Sequence, residues 1–348
     1  MHLDPIFPTR RQFLASGMAA GAVLIGGRST PAGEESPPAN GQKRKAQIAI
    51  TLDLEMSRNF PVWEDTHWDY EKGNLNDEAK RYTVEACRRV KAHGGVLHCF
   101  AVGRVLEQEN VDWLKEISAA GHPIGNHTYD HVNVTATKME DVQFRFRRSP
   151  WLVEGRSPAE VIRENIRLAS IALTTRLGIR PAGFRTPGGF PNGLADRPDL
   201  QQMVLDLGFM WVSSLYPPHA LGEPAERPTD AALQAIVAAQ AKAQPFVYPS
   251  GLIEVPMNPI SDIGAFRNGR WKLDGFLEGV RRGVAWAIEH GAAYDFLSHP
   301  SCLYVTDPNF RAIELICEMV GKAGDRAELV DLNALARRAG KRPAPRSS

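Results

Sequence analysis

Two histidines in the middle of the chain have the spacing of a metal site. His127 and His131 lie in the segment Asn-His-Thr-Tyr-Asp-His at residues 126–131. This spacing places the two imidazoles one helical turn apart, and side chains arranged in this way are able to chelate one metal ion. Two surface histidines in a polar loop would show the same spacing, so the pair needs further ligands to indicate a metal site.

A pair of acidic residues supplies the carboxylate that such a site requires. Asp53 and Glu55 lie in the segment Thr-Leu-Asp-Leu-Glu at residues 51–55. Residues two apart on an extended strand share a face, so both carboxylates point the same way while Leu54 points to the other side. One acid is able to bind a metal ion while the other takes up a proton. A solvated strand end is the alternative interpretation of the acid pair alone.

Two further polar side chains follow apolar segments later in the chain. Arg185 lies in Phe-Arg-Thr-Pro-Gly-Gly at residues 184–189, and His299 lies in Phe-Leu-Ser-His-Pro at residues 296–300. An arginine beside a carboxylate keeps that carboxylate ionised and oriented. A surface ion pair for Arg185 and a hydrogen-bonded loop position for His299 are the ordinary alternatives.

The elements that must position these residues alternate between strands and helices. Apolar segments typical of buried parallel strands occur seven times. Helical segments separate several of them, and the longest is predicted at 158–177, with Ser157 before it and Gly178 after it. The strands are predicted at 46–54, 96–102, 123–126, 183–186, 210–215, 252–255 and 294–298, and the other helices at 76–92, 111–120, 199–207 and 274–290.

This alternation indicates an α/β protein with a parallel sheet. Because no glycine-rich phosphate loop follows the first strand, a (β/α) barrel is favoured over a dinucleotide-binding sheet. The carboxyl ends of the strands in such a barrel meet at one mouth, so we expect the polar residues described above to lie together there. The segment 133–157 is expected to be an insertion on the same face.

Composition excludes several classes of protein. The chain has 348 residues, and 41 lysines and arginines against 40 aspartates and glutamates give a formal net charge of +1. This balance gives no electrostatic reason to bind nucleic acid or an anionic membrane surface. A hydrophobic content of 43% excludes disorder along the whole chain. Four cysteines without a CxxC pair indicate neither a disulfide scaffold nor a thiolate zinc site.

Residues 1–45 are expected to be a signal peptide and linker outside the fold. Arg10 and Arg11 precede Phe-Leu and a short, weakly apolar stretch, which resembles a twin-arginine export signal. The stretch is shorter than the roughly 20 apolar residues that a stable membrane span needs. A basic N-terminus of a cytosolic protein is the alternative. We therefore predict translocation by the twin-arginine machinery to the periplasm or cell exterior, a barrel at 46–335 and a polar tail at 336–348.

Together these segments resemble the polysaccharide deacetylases, also called carbohydrate esterase family 4 or the NodB-homology domain. The most specific match is Gly-His-Pro-Ile-Gly-Asn-His-Thr-Tyr-Asp-His at 121–131, which is similar to the second motif of that family. Residues 51–55 occupy the place of Thr-Phe-Asp-Asp-Gly, 185–189 resemble Arg-x-Pro-aromatic-Gly, and 297–299 resemble the final Leu-x-His. The resemblance extends over about residues 46–335, in the order of the family's motifs.

The resemblance implies a distorted (β/α) barrel of seven parallel strands and a metal-dependent amide hydrolase. By this resemblance His127 and His131 match metal ligands. The family's second aspartate, normally the third protein ligand, aligns with Leu54, which has no donor atom, so Glu55 is the substitute. Strand alternation favours the same choice, because Glu55 shares a face with Asp53. The implied cofactor is a divalent metal ion, with zinc first and cobalt, iron or nickel as alternatives.

The resemblance also implies roles for the groups that act on the substrate. Asp53 matches the general base, Arg185 matches the arginine that tethers this base, and His299 matches the general acid. The backbone N–H of Gly188 matches the group that stabilises the oxyanion. Gly188 also stands where the family has an aromatic residue that lines the sugar groove, so this subsite is expected to be wider or filled from elsewhere.

These matches predict a deacetylase that hydrolyses the N-acetyl amide of a hexosamine in peptidoglycan or a similar glycan. A hydrolase of another small amide, a ureide or an acetyl ester is the first alternative. A non-catalytic glycan-binding barrel is the second, although binding alone needs no combination of His299 with Asp53. Asp262 and Trp271 are the candidates for the family's fourth motif.

Overall fold

The computed structural model describes residues 44–56 and 70–339 of the chain. Arg10 and Arg11, which carry the predicted export signal, lie outside the described residues. The first described strand begins at Ala46. None of the described helices has the length and apolar character that crossing a membrane requires.

The described part of the chain contains one curled sheet of nine strands. The strands are β1 (Ala46–Leu54), β2 (Leu97–Ala101), β3 (Ile124–Asn126), β4 (Gly183–Phe190), β5 (Trp211–Leu215), β6 (Phe246–Val247), β7 (Ile253–Glu254), β8 (Ala293–Ser298) and β9 (Ala327–Val330). Their order is β6-β7-β5-β4-β3-β2-β1-β8, and β9 pairs with the first half of β1. All pairings are parallel except that of β6 with β7.

Seven of these strands, in the order β7-β5-β4-β3-β2-β1-β8, are the seven that the sequence predicts. The predicted fold class, an α/β protein with a distorted (β/α) barrel, is therefore confirmed. The sequence does not predict β6 or β9. Strand β6 has two residues and is too short to show an alternation of side chains, and only Ala327 of β9 is buried. Strand β4 runs to Phe190, past its predicted end at 186, with a register shift between Arg185 and Phe190.

Strand β1 lies in the middle of the sheet and is buried on both faces. Its even-numbered apolar residues pack into the main core shared with the surrounding helices, and they are Ala46, Ile48, Ile50, Leu52 and Leu54. Ala49 faces the other way and joins a second apolar cluster with Trp211. Thr51 and Asp53 continue this second face, because side chains alternate along a strand. The alternation therefore carries Asp53 to the mouth of the barrel.

Eleven α-helices accompany the sheet in the described part of the chain. They are α1 (Asp77–Ala92), α2 (Asp112–Ala119), α3 (Met139–Val142), α4 (Phe144–Arg148), α5 (Pro158–Leu177), α6 (Pro198–Asp206), α7 (Asp230–Ala239), α8 (Leu273–His290), α9 (Pro300–Thr306), α10 (Arg311–Ala323) and α11 (Leu332–Ala339). Helix α5 has the bounds that the sequence predicts. Ser157 and Glu160 form a capping box at its start, and Gly178 ends it with φ +70°.

Two segments differ from a plain alternation of strand and helix. The expected insertion at 133–157 contains α3, α4 and a 3₁₀ turn at Pro150–Val153. Helix α11 buries Ala336 and Ala339 in an apolar cluster inside the sheet. Helix α11 itself runs to Ala339, because its apolar face lasts one turn longer than the polar composition of the tail indicates.

Candidate active site

A pocket of about 530 Å³ opens at the carboxyl ends of the parallel strands. Six of the seven predicted site residues line it, namely Asp53, Glu55, His127, His131, Gly188 and His299. Arg185, the seventh, is fully buried and contacts the pocket through Asp53. The structure therefore brings together residues from the ends of β1, β3, β4 and β8, where barrel enzymes place their active sites.

Three of these side chains, Glu55, His127 and His131, form what we call the Glu–His–His cluster. One ligand atom from each lies within 4.8 Å of the others. Nε2 of His131 contacts Oε2 of Glu55, and Nε2 of His127 lies 3.6 Å from the same oxygen. One carboxylate oxygen with two imidazole nitrogens is a ligand set that zinc and related divalent ions accept.

The two histidines belong to an irregular loop after β3, so the expectation of a helical turn between them is wrong. Thr128 and His131 have left-handed backbone angles, with φ of +59° and +58°. Oδ1 of Asn126 accepts a hydrogen bond from the N–H of Thr128 at 2.8 Å and stabilises this turn. The turn brings the rings of His127 and His131 to a centroid distance of 5.1 Å.

The protonation states of the Glu–His–His cluster suit a cation. Nδ1 of His127 donates to the carbonyl oxygen of Arg185 at 3.0 Å, which orients the ring with Nε2 towards Glu55. Oε2 of Glu55 is buried and accepts no hydrogen bond of normal geometry from the described residues. Burial alone would raise the pKa of Glu55, but the attraction of His131 and Lys72 holds it well below its usual range. Burial lowers the pKa of His131 to about 4. These donors fit the divalent ion that the resemblance implies.

A buried network of charged side chains anchors Asp53 on the side that faces away from the Glu–His–His cluster. Nη1 of Arg185 donates to Oδ1 of Asp53 at 3.2 Å and to Oγ1 of Thr51 at 2.8 Å. Nη2 of Arg185 contacts the carboxylate of Asp295, whose pKa burial raises to about 6 despite the guanidinium. The second oxygen of Asp53 lies 3.7 Å from Nε2 of His127. Asp53 is therefore anchored on one side and faces the Glu–His–His cluster on the other.

His299 is paired with a second buried acid. Asp262 accepts hydrogen bonds from the backbone N–H of His299 at 2.7 Å and from its Nδ1 at 2.9 Å. Nε2 of His299 lies 3.8 Å from Oε1 of Glu55. Burial alone would lower the pKa of His299, but the charge and hydrogen bond of Asp262 raise it to about 9. The negative charges of Glu55 and Asp53 contribute in the same direction. The imidazole is therefore protonated at neutral pH.

Sequence reasoning misses two side chains of this arrangement, Asp295 and Lys72, and names a third, Asp262, only as a candidate. Asp262, a candidate for the fourth motif, lies against His299, whereas Trp271, the other candidate, packs in the main core. Asp295 lies between Tyr294 and Phe296 in a fully buried strand, which is a signal that could have identified it. Lys72 contacts Glu55 from a short polar turn, where no sequence pattern marks it.

Part of the chain matches a known family model. Residues 70–206 match the model described as polysaccharide deacetylase. The matched range contains His127, His131 and Gly188 and ends before His299. Comparison of the sequence with curated proteins gave no match.

The fold is similar to that of several solved structures. A Mycobacterium smegmatis protein assigned as a polysaccharide deacetylase has a TM-score of 0.57 at 15% identity, with 92% of this chain and 98% of that chain covered. The Puue allantoinase has a TM-score of 0.56 at 16% identity, with 87% and 93% covered. A Pseudomonas aeruginosa protein, also assigned as a polysaccharide deacetylase, has a TM-score of 0.55 at 15% identity, with 84% and 89% covered. Residues 70–206 are therefore similar to the polysaccharide deacetylase family, and the described part of the chain shares its fold with these solved structures.

Proposed function

We propose that this chain is an exported, metal-dependent deacetylase that hydrolyses the N-acetyl amide of a hexosamine in peptidoglycan or a similar glycan. One observation carries the proposal: the Asp53–Arg185 pair and the His299–Asp262 pair both adjoin the Glu–His–His cluster. A protein that only binds glycans needs no such combination of proton acceptor and proton donor. The match of Arg10 and Arg11 to a twin-arginine signal supports the export part of the proposal.

Asp53 takes up the proton of the attacking water. Its Oδ1 is tied to Arg185, and its Oδ2 faces the Glu–His–His cluster. The guanidinium fixes the orientation of this carboxylate through a charged hydrogen bond. Arg185 is in turn held by Thr51 and Asp295. The base is therefore positioned before the substrate arrives.

The negative charge that develops on the amide oxygen needs stabilisation. A divalent ion held by the Glu–His–His cluster supplies a Lewis acid that polarises the carbonyl and acidifies a water molecule. The chain adds the backbone N–H of Gly188, which borders the same pocket. Gly188 has φ +76°, and its carbonyl oxygen accepts a hydrogen bond from Oγ1 of Thr186 at 2.7 Å. This bond fixes the peptide plane beside the donor.

His299 protonates the departing nitrogen. An amide nitrogen leaves poorly unless it receives a proton, so a protonated imidazole at this position is required. Asp262 holds the ring through Nδ1 and keeps the imidazolium stable, which leaves the N–H at Nε2 for the substrate. Acetate and a free amine are the products.

The pocket has space for a sugar ring beside these groups. A Cβ atom at Gly188 would meet no atom within 4 Å. The space that an aromatic side chain fills at this position in the family is therefore open in this chain. Phe144, from the insertion, lines the same pocket and is 41% exposed. Tyr216 and Met257 line it as well. We therefore place the sugar ring against Phe144, since binding pockets are commonly lined by aromatic and apolar side chains.

Acetate release tests this function. The purified chain, supplied with zinc, is incubated with N-acetylglucosamine oligomers and with peptidoglycan, and acetate is measured over time. We expect release from at least one of these glycans. The matched variant Asp53→Asn keeps the size of the side chain and removes the base, so its turnover should collapse.

The same assay separates the other substrate classes. Hydrolysis of a small amide, a ureide or an acetyl ester, with no acetate from any glycan, would contradict the glycan assignment and leave the site chemistry in place. Binding of a glycan without hydrolysis of any of these compounds would show a non-catalytic barrel.

A further inference from the structure

Lys72 has a buried contact with the Glu–His–His cluster that the proposed mechanism does not use. Its Nζ contacts Oε1 of Glu55, and both side chains are only 4% exposed. A buried ion pair carries a large desolvation cost, so its position at the proposed ligand needs a specific explanation.

The backbone holds Lys72 firmly in this position. The residue belongs to a 3₁₀ turn at Tyr70–Gly73. Its carbonyl oxygen accepts the N–H of Met56 at 2.7 Å, which ties the turn to the chain just after β1. The next carbonyl, that of Gly73, accepts a hydrogen bond from Nε2 of Gln108 at 3.1 Å. The ammonium is therefore presented by an anchored turn.

The two oxygens of Glu55 have different partners. Oε1 contacts Lys72 and lies 3.8 Å from Nε2 of His299. Oε2 faces the Nε2 atoms of His127 and His131 and accepts no hydrogen bond of normal geometry from the described residues. The carboxylate is thus divided between an ammonium on one oxygen and the two imidazoles on the other.

We infer that Lys72 is a positioning residue that makes Glu55 a one-oxygen ligand, with Oε1 reserved for the ammonium and Oε2 for the metal ion. The inference rests on the proposed metal-dependent function. Hydrogen-bonded partners of ligating carboxylates fix the orientation of the ligand and commonly strengthen metal binding. Lys72 also keeps Oε1 from turning to His299, so the proton donor stays available to the substrate.

Zinc affinity, measured by competition with a chelator, tests the inference on the full chain. Lys72→Met keeps the length of the side chain and removes the donor, so we expect zinc binding about 10- to 100-fold weaker than in the wild type. Lys72→Gln restores an uncharged N–H donor, and we expect an intermediate affinity. Lys115→Met, which removes an exposed lysine far along the chain from the site, is the matched control and should bind zinc like the wild type.

A cobalt-substituted sample gives a second readout that a loss of general stability would not change. We expect the visible spectrum of the cobalt form to differ between the wild type and Lys72→Met, because the carboxylate becomes free to bind through both oxygens. Equal zinc affinity and equal spectra in these two proteins would overturn the inference.

Tighter zinc binding in Lys72→Met would also overturn it, because the ammonium would then compete with the metal. If Lys72→Met does not fold, Lys72→Gln decides, since wild-type or tighter affinity in that variant contradicts the inference. A wild type that binds neither ion contradicts it as well. A wild type that binds zinc but releases no acetate contradicts only the proposed function.

Discussion

Removal of the His299 imidazole should affect an amide far more than an activated ester. The ring is held by Asp262 at 2.9 Å and is protonated near neutral pH, so it offers the departing nitrogen a proton through Nε2. Loss of a general acid typically slows a reaction about 10²- to 10⁴-fold, or about 3 to 5 kcal/mol of barrier. We expect His299→Ala to lower kcat/KM on an N-acetylated sugar by this amount. An aryl acetate has a leaving group that needs no proton, so kcat/KM of His299→Ala on this ester should fall by no more than about tenfold.

Steady-state kinetics on the two substrates measure this difference. His290→Ala is the matched control, because His290 lies exposed at the end of α8 and does not border the pocket. We expect this control to match the wild type on both substrates. Equal losses on the amide and the ester in His299→Ala would refute the assignment of His299 as the acid.

Three further substitutions test the lining of the pocket, a buried histidine and the predicted export signal. Phe144→Ala should raise KM for the glycan about 3- to 10-fold with kcat nearly unchanged, and an unchanged KM would remove Phe144 from the sugar site. Burial lowers the pKa of His98 from 6.5 to about 3. As the pH falls below 6.5, the unfolded chain therefore takes up a proton on His98 before the folded chain does. The free energy of unfolding should fall by about 1.4 kcal/mol for each pH unit between the unfolded pKa and the folded pKa. Denaturant unfolding measured across this pH range should show that the free energy of unfolding depends less steeply on pH in His98→Asn than in the wild type. The same dependence in both proteins would contradict the reasoning. Replacement of Arg10 and Arg11 by lysine should leave the full-length precursor in the cytoplasm on immunoblots of cell fractions, and a shortened protein outside the inner membrane would contradict export by this route.

The barrel was predictable because its strands are buried on both faces. Mostly apolar segments such as 46–54 have this pattern, and the alternation along β1 also places Asp53 and Glu55 on one side. The strands without a prediction have weak patterns for physical reasons. Strand β6 has two residues, and β9 pairs only with the first half of β1. Length and burial, more than propensity, decide which strands a sequence reveals.

The site was predictable where its residues follow predicted strands, and less so elsewhere. His127 and His131 were identified by spacing, yet a left-handed turn at Thr128 brings them together and a helix does not. That backbone conformation depends on tertiary hydrogen bonds, which spacing does not report. Lys72 follows Glu55 by 17 residues with no pattern that links them, and only the folded structure reveals this contact.

The metal content of two purified variants tests most directly the claim that Glu55 is the carboxylate ligand and Asp53 is the base. Glu55→Gln keeps the size of the side chain and an acceptor for Lys72, but it removes the anionic oxygen that faces the two histidines. We expect elemental analysis to find zinc lost from Glu55→Gln and retained in Asp53→Asn, with acetate release lost in both. Zinc retained in Glu55→Gln and lost from Asp53→Asn would contradict this assignment and make Asp53 the ligand.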